Sequence, residues 1–171
     1  MTPGTLVLLN APKETSAAWG GLPAALRSSG LDVLAPDVPD ETGPRYIACA
    51  SLLVGASAPA PPLVLVARGA AGPLLPGVAL AQRAAHRPIG GYVFVDADLP
   101  RPLRHDHTAP ENDVPMPPDW PEAPCGYLRT HPDRETHDKA LREAHLRGWP
   151  TTEQEPTTTI AQALRELIGS L

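Results

Sequence analysis

One stretch constrains this chain more than any other: Leu63-Val64-Leu65-Val66-Ala67-Arg68-Gly69-Ala70-Ala71-Gly72-Pro73-Leu74-Leu75. It opens as an unbroken apolar run, the pattern of a parallel strand buried on both faces. Small residues follow, suited to a sharp turn. Pro73 then fits the first turn of a helix, where a residue needs no backbone N–H partner. The expectation is strand, tight turn and helix in immediate succession.

The rest of the chain repeats that alternation. Thr5-Leu6-Val7-Leu8-Leu9 reads as a first buried strand, followed by a polar loop from Asn10 to Ser16. Trp19, Leu22 and Leu26 recur at helical spacing, Pro23 interrupts that pattern, and Gly30 is placed to close the helix in a left-handed cap. Leu31 to Pro36 reads as a second strand. Tyr46, Ile47, Ala50, Leu53 and Val54 make one apolar helical stripe after Pro44. A helix is expected from Pro73 to about His86, and a fourth strand from Pro88 to Asp96. Residues 97 to 123 are proline-rich and aperiodic, a loop long enough to imply function or motion. Cys125 to Thr130 reads as a fifth strand and Arg134 to Arg147 as an exposed helix stopped by Gly148. Trp149 to Thr152 reads as a short edge strand. An amphipathic closing helix, expected from Pro156, carries Ile160, Leu164, Leu167 and Leu171. Apolar runs alternating with helical patterns predict an α/β, doubly wound, mostly parallel sheet of about six strands, in a single domain over 1–171.

Bulk properties narrow the function classes. A net charge of -5 argues against non-specific nucleic-acid binding, which needs a basic face. No apolar run approaches the roughly 20 residues of a membrane helix, so no membrane partner is expected. The start of the chain has no basic segment followed by an apolar one, so no secretory signal is expected. Two cysteines, Cys49 and Cys125, do not make a disulfide framework, and a reducing cytoplasm is the default expectation. Heavy use of alanine, proline and glycine, with arginine far above lysine, is the usage of a high-GC genome.

The order and wording of these segments resemble the α/β-hydrolase superfamily, especially small bacterial lipase- and esterase-like members. The residues that carry the resemblance are the first strand, the Trp19 helix, Val33-Leu34-Ala35-Pro36-Asp37, the Leu63–Leu75 stretch and the Gly91–Pro100 strand. Against the family's nucleophile elbow, G-x-S-x-G, Ala67 and Ala71 stand for the glycines and Gly69 stands for the serine. The resemblance implies a minimal version of the fold, without the two antiparallel strands that open the full-length one. It also implies a loop at 97–123 in place of a cap. The stretch that bears the catalytic histidine in relatives is replaced by Thr152-Glu153-Gln154-Glu155-Pro156, which contains none. Without serine and histidine, ordinary serine-esterase chemistry is not expected.

A cleft remains, because open α/β sheets bind ligands beyond the carboxyl ends of their strands. Asn10, Ala11 and Pro12 follow the first strand, where relatives build half of the oxyanion hole. Arg68, Gly69 and Ala70 form the elbow, and the Ala70 N–H resembles the other donor. Asp96 and Asp98 end the fourth strand; Arg129, Thr130 and His131 end the fifth. Asp96 and His131 are the candidate acid–base residues. Asn10, Ala11, Pro12, Arg68, Gly69, Ala70, Asp98, Arg129 and Trp120 are the candidate substrate contacts, with Trp120 and Met116 as a residual lid. Each has a plainer reading: Asp96 as a cap, Arg68 paired with Asp96, His131 solvated, Trp120 anchoring its loop. His105-Asp106-His107 is too sparse to predict a metal site, and neither metal nor cofactor is expected.

Two functions follow. One is a non-hydrolytic enzyme acting on a small organic molecule, by an isomerase, epimerase, cyclase or lyase type of step in specialised metabolism. The other is a non-catalytic pseudo-hydrolase that binds a small molecule or a partner chain. A homodimer is expected from the sheet edge that a shortened fold exposes.

Overall fold

The computed structural model describes residues 4–39, 41–101, 114, 116–131, 137–155 and 158–171. Six strands form one sheet: β1 (Thr5–Leu9), β2 (Asp32–Leu34), β3 (Leu63–Gly69), β4 (Ile89–Ala97), β5 (Cys125–Arg129) and β6 (Thr151–Glu153). Their order is β2-β1-β3-β4-β5-β6, and every neighbouring pair is parallel. The helices are α1 (Leu22–Ser28), α2 (Gly43–Ala56), α3 (Leu75–Ala84), α4 (Asp138–Leu146) and α5 (Ile160–Ser170). The doubly wound sheet expected from the sequence is present.

Continuous apolar strands are explained by burial on both sides. Val7, Leu9, Leu65, Phe94 and Tyr127 face a core shared with Tyr46 of α2, Val78 of α3 and Leu141 of α4. Leu6, Leu8, Val64, Val66, Val95 and Leu128 face the opposite core, with Leu26 of α1 and Leu164 of α5. Leu6, Leu8, Leu9 and Leu65 are wholly buried, and each contributes on the order of 2 kcal/mol relative to exposure.

Several boundaries moved, for identifiable reasons. Trp19 is not part of α1; it ends a separate 3-10 turn, Ser16–Trp19. Gly20 follows with a positive φ of 53°, and the helix restarts at Leu22 with Pro23 in its first turn. The expected cap at Gly30 is formed, with φ 86° and bonds from Gly30 N–H to Arg27 C=O and from Leu31 N–H to Leu26 C=O. Helix α5 starts at Ile160, because the Thr159 hydroxyl caps it by accepting from Gln162 N–H at 3.2 Å. Helix α4 is less exposed than its charged sequence implies: Ala140, Leu141 and Ala144 are buried. Strand β6 begins two residues later than expected, since Trp149 stacks on Phe94 at 5.5 Å.

Candidate functional site

Strand order reverses direction between β1 and β3, so the switch point lies where Leu9 and Ala67 pair. Asn10-Ala11 and Gly69-Ala70 leave the sheet there, side by side. Gly69 has φ 55°, a left-handed conformation that costs a residue with a Cβ roughly 1–2 kcal/mol. Ala71 N–H donates to Arg68 C=O at 3.1 Å and closes the turn. The 3-10 turn Gly72–Leu74 then leads into α3. A Cβ on Gly69 would meet Ala11 Cβ at 3.4 Å, so the two loops touch. Among the described residues neither the Ala11 nor the Ala70 amide donates a backbone hydrogen bond.

Strand β4 ends in a bulge. Arg68 pairs with Val95 and Gly69 with Ala97, so Asp96 is passed over by the ladder and has φ 43°. The bulge turns the Asp96 carboxylate toward the end of β5. Thr130 N–H donates to Asp96 Oδ1 at 2.8 Å, and the Thr130 hydroxyl donates to Asp96 Oδ2. His131 Nδ1 lies 3.3 Å from the same Oδ2. The carboxylate is buried, while the His131 side chain is 49% exposed. A shielded carboxylate thus lies beside an accessible imidazole.

Two tyrosines brace these loops, and sequence reasoning assigned neither to the site. Tyr127 donates to Ala97 C=O at 3.1 Å, just past the bulge. Burial first, and the Asp96 charge second, push its hydroxyl above the ordinary value. Tyr46 donates to Asn10 C=O, and burial raises its hydroxyl as well. The only signal was a phenol within an otherwise aliphatic stripe on α2.

No protein-family model matches the chain, and no curated protein does. Solved structures do match. One is an extracellular α/β-hydrolase from a Paenibacillus species, described as sharing structural and functional homology with a tobacco salicylic acid binding protein. It aligns at TM-score 0.68 and 16% identity, over 98% of each chain. Polyneuridine aldehyde esterase aligns at TM-score 0.61 and 15% identity, over 98% of this chain and 97% of that one. A tomato methylketone synthase variant in complex with β-ketoheptanoate aligns at 0.62 and 13%, over 99% and 96%.

The chain has an α/β-hydrolase fold. The strand-to-helix turn at the end of β3 carries Gly69, which brings no side chain to it. Ala11, Gly69, Ala70, Asp96, Asp98 and His131 gather along the carboxyl ends of β1, β3, β4 and β5. Asp98 is exposed, and its N–H donates to Gly69 C=O at 3.1 Å. Pro12 is half-buried in the turn closed by Glu14 N–H and Ala11 C=O.

Other candidates of the hydrolase-like rim are engaged elsewhere. Asn10 is fully buried, and its Nδ2 donates to Ala11 C=O and Glu14 C=O, which shapes the loop rather than facing a ligand. Arg68 does not pair with Asp96; Nη1 donates to Ala18 C=O and ties the first 3-10 turn to the elbow. Arg129 pairs with Asp138 at 2.8 Å and Glu153 at 3.9 Å. Trp120 is buried among Tyr92, Phe94 and Trp149, with centroids 5.8 to 6.5 Å away. Its loop is pinned by Arg83–Asp119 at 2.6 Å and by Tyr92 donating to Glu122 at 2.6 Å. Tyr92 pairs with Cys125 near the amino ends of the strands, so Trp120 anchors its loop on the core away from the rim. Met116 is half-buried against the same core.

His105, Asp106 and His107 lie outside the described residues. Among those described, no three His, Cys, Asp or Glu side chains are grouped to hold a metal ion. No helix among them is long and apolar enough to cross a membrane.

Proposed function

We propose that this chain moves a proton on a small organic molecule without a covalent nucleophile, in an isomerase, epimerase, cyclase or lyase type of step. The observation that carries this reading is the contact of His131 Nδ1 with Asp96 Oδ2 at 3.3 Å, two strands from an elbow occupied by glycine. Strand spacing places the end of β5 about 10 Å from Gly69, a span that a small substrate bridges. His131 would exchange the proton through Nε2, and Asp96 would balance the imidazolium charge. The Ala11 and Ala70 amides would receive the oxyanion or enolate that forms. A neighbouring fold named as a methylketone synthase, bound to a β-keto acid, supports the class of chemistry.

The test is hydrogen–deuterium exchange at acidic carbons. A panel of small ketones, β-keto acids and hydroxy acids is incubated in D2O and read by NMR. Exchange that is lost in His131→Gln, with binding retained, supports the proposal.

A second reading is a binding protein without turnover. Arg68 and Arg129 favour it, since their charged groups are taken up by internal bonds and leave the rim fewer groups for chemistry. Under this reading a ligand raises the melting temperature, and no exchange accompanies binding.

A further inference from the structure

We infer that Thr130 fixes the tautomer of His131, acting as a positioning residue for the acid–base pair. The inference rests on the acid–base reading of the rim, but the tautomer is measured without any substrate.

The argument is one of donor and acceptor accounting. An ionised carboxylate only accepts hydrogen bonds. Asp96 Oδ2 therefore takes the hydroxyl hydrogen of Thr130. With that hydrogen committed, Thr130 Oγ1 offers His131 only its lone pairs. His131 Nδ1 lies 2.8 Å from this oxygen and 3.3 Å from Asp96 Oδ2. Both near neighbours of Nδ1 are acceptors, so Nδ1 must carry the hydrogen. In the neutral ring the lone pair is then left on Nε2, the nitrogen available to a substrate. The hydroxyl joins imidazole and carboxylate in a chain, Nδ1–H to Oγ1–H to Oδ2, whose bonds polarise one another.

Geometry gives the hydroxyl this role. Asp96 reaches Thr130 only because the bulge at the end of β4 turns its carboxylate along the rim. Thr130 N–H fixes Asp96 Oδ1 at 2.8 Å, which leaves Oδ2 for the hydroxyl. His131 follows directly in sequence, so one residue orients both its own side chain and its neighbour's.

Long-range proton–nitrogen NMR on protein labelled with 15N-histidine reads the tautomer above the titration range, with His131→Gln assigning the signal. The expected spectrum shows Nδ1 protonated and Nε2 unprotonated, in a ratio of roughly ten to one or more, given the net strength of such hydrogen bonds. Thr130→Val keeps the shape and removes the nearer acceptor at 2.8 Å, leaving Nδ1 only the longer 3.3 Å contact to Asp96 Oδ2, and is expected to lower that ratio severalfold; Thr130→Ser is expected to preserve it. A purely structural role for Thr130 would lower stability in the valine variant and leave the ratio unchanged, which overturns the inference. A majority Nε2–H tautomer in the unmodified protein overturns it too, and that measurement decides the matter even where Thr130→Val fails to fold. A locked tautomer without proton exchange on any substrate leaves this inference standing and removes the proposed function.

Discussion

Gly72 lies directly against the carbonyl of Asp98: a Cβ on Gly72 would stand 1.9 Å from that oxygen and 3.3 Å from Ala97 Cβ. The turn after β3 is thus packed on the strand end that carries Asp96. Asp98 follows directly on β4 and its N–H is tied to Gly69 C=O at 3.1 Å, so its backbone cannot yield cheaply. Gly72→Ala is expected to destabilise the fold by about 3 kcal/mol, seen as a lower urea midpoint with an unchanged slope. A midpoint equal to that of the unsubstituted chain would contradict this packing.

Gly69 behaves differently, since a Cβ there makes only an ordinary contact with Ala11. The cost of Gly69→Ser is backbone strain at φ 55°, about 1–2 kcal/mol. The variant is expected to fold and still not to hydrolyse p-nitrophenyl acetate. The His131 ring is held at Thr130 and Asp96, its backbone about 10 Å from Gly69 by strand spacing, so no base is held against a serine at that position. A burst of nitrophenolate above the level of the parent chain would show that a base does reach it.

Asp96 combines a left-handed backbone with a buried carboxylate. Asparagine tolerates that backbone better than alanine does. Asp96→Asn is expected to cost about 1–2 kcal/mol through weaker hydrogen bonds to Thr130, and Asp96→Ala is expected to cost more. The comparison is made by thermal unfolding. Equal losses would mean that charge, and not the bulge geometry, dominates.

Alkaline stability follows from groups buried in their neutral form. Burial pushes the Cys125 thiol up to about 12 and raises the hydroxyls of Tyr46, Tyr92 and Tyr127 beyond their ordinary range. In the unfolded chain these groups lose protons near pH 9 to 10. Above that range the unfolded state binds fewer protons than the native one, so stability falls as pH rises. It is unaffected by these groups below about pH 8. Urea midpoints are expected to decline from about pH 9 upward, and Cys125 is expected to resist thiol reagents at pH 8 until the protein unfolds. Rapid labelling of Cys125 in the native state would contradict its placement.

Much of this fold could be read from the sequence because long apolar strands leave few alternatives. Leu63 to Ala67 cannot be exposed on either side, and Gly30 marks a helix end by its backbone alone. His86 shows the limit: it closes α3 with φ 60° although it is not glycine. The rim was legible as a set of strand ends, but not as a set of contacts. Nothing in Val93-Phe94-Val95-Asp96 announces a bulge, and only the bulge sends Asp96 toward Thr130 and away from Arg68. The two readings of Trp120, lid or loop anchor, stayed open for a related reason, since its partners Tyr92, Phe94 and Trp149 are brought together only by the packed sheet.

The strands lengthen from three residues at either edge, β2 and β6, to seven and nine in the middle, β3 and β4. A sheet tapered in this way opens from its margins, where few ladder bonds hold each strand. Amide hydrogens of β2 and β6 should exchange early, while Gly69 and Asp96, borne on the two longest strands, keep their spacing. The rim therefore stays in register through fluctuations that fray the edges of the sheet.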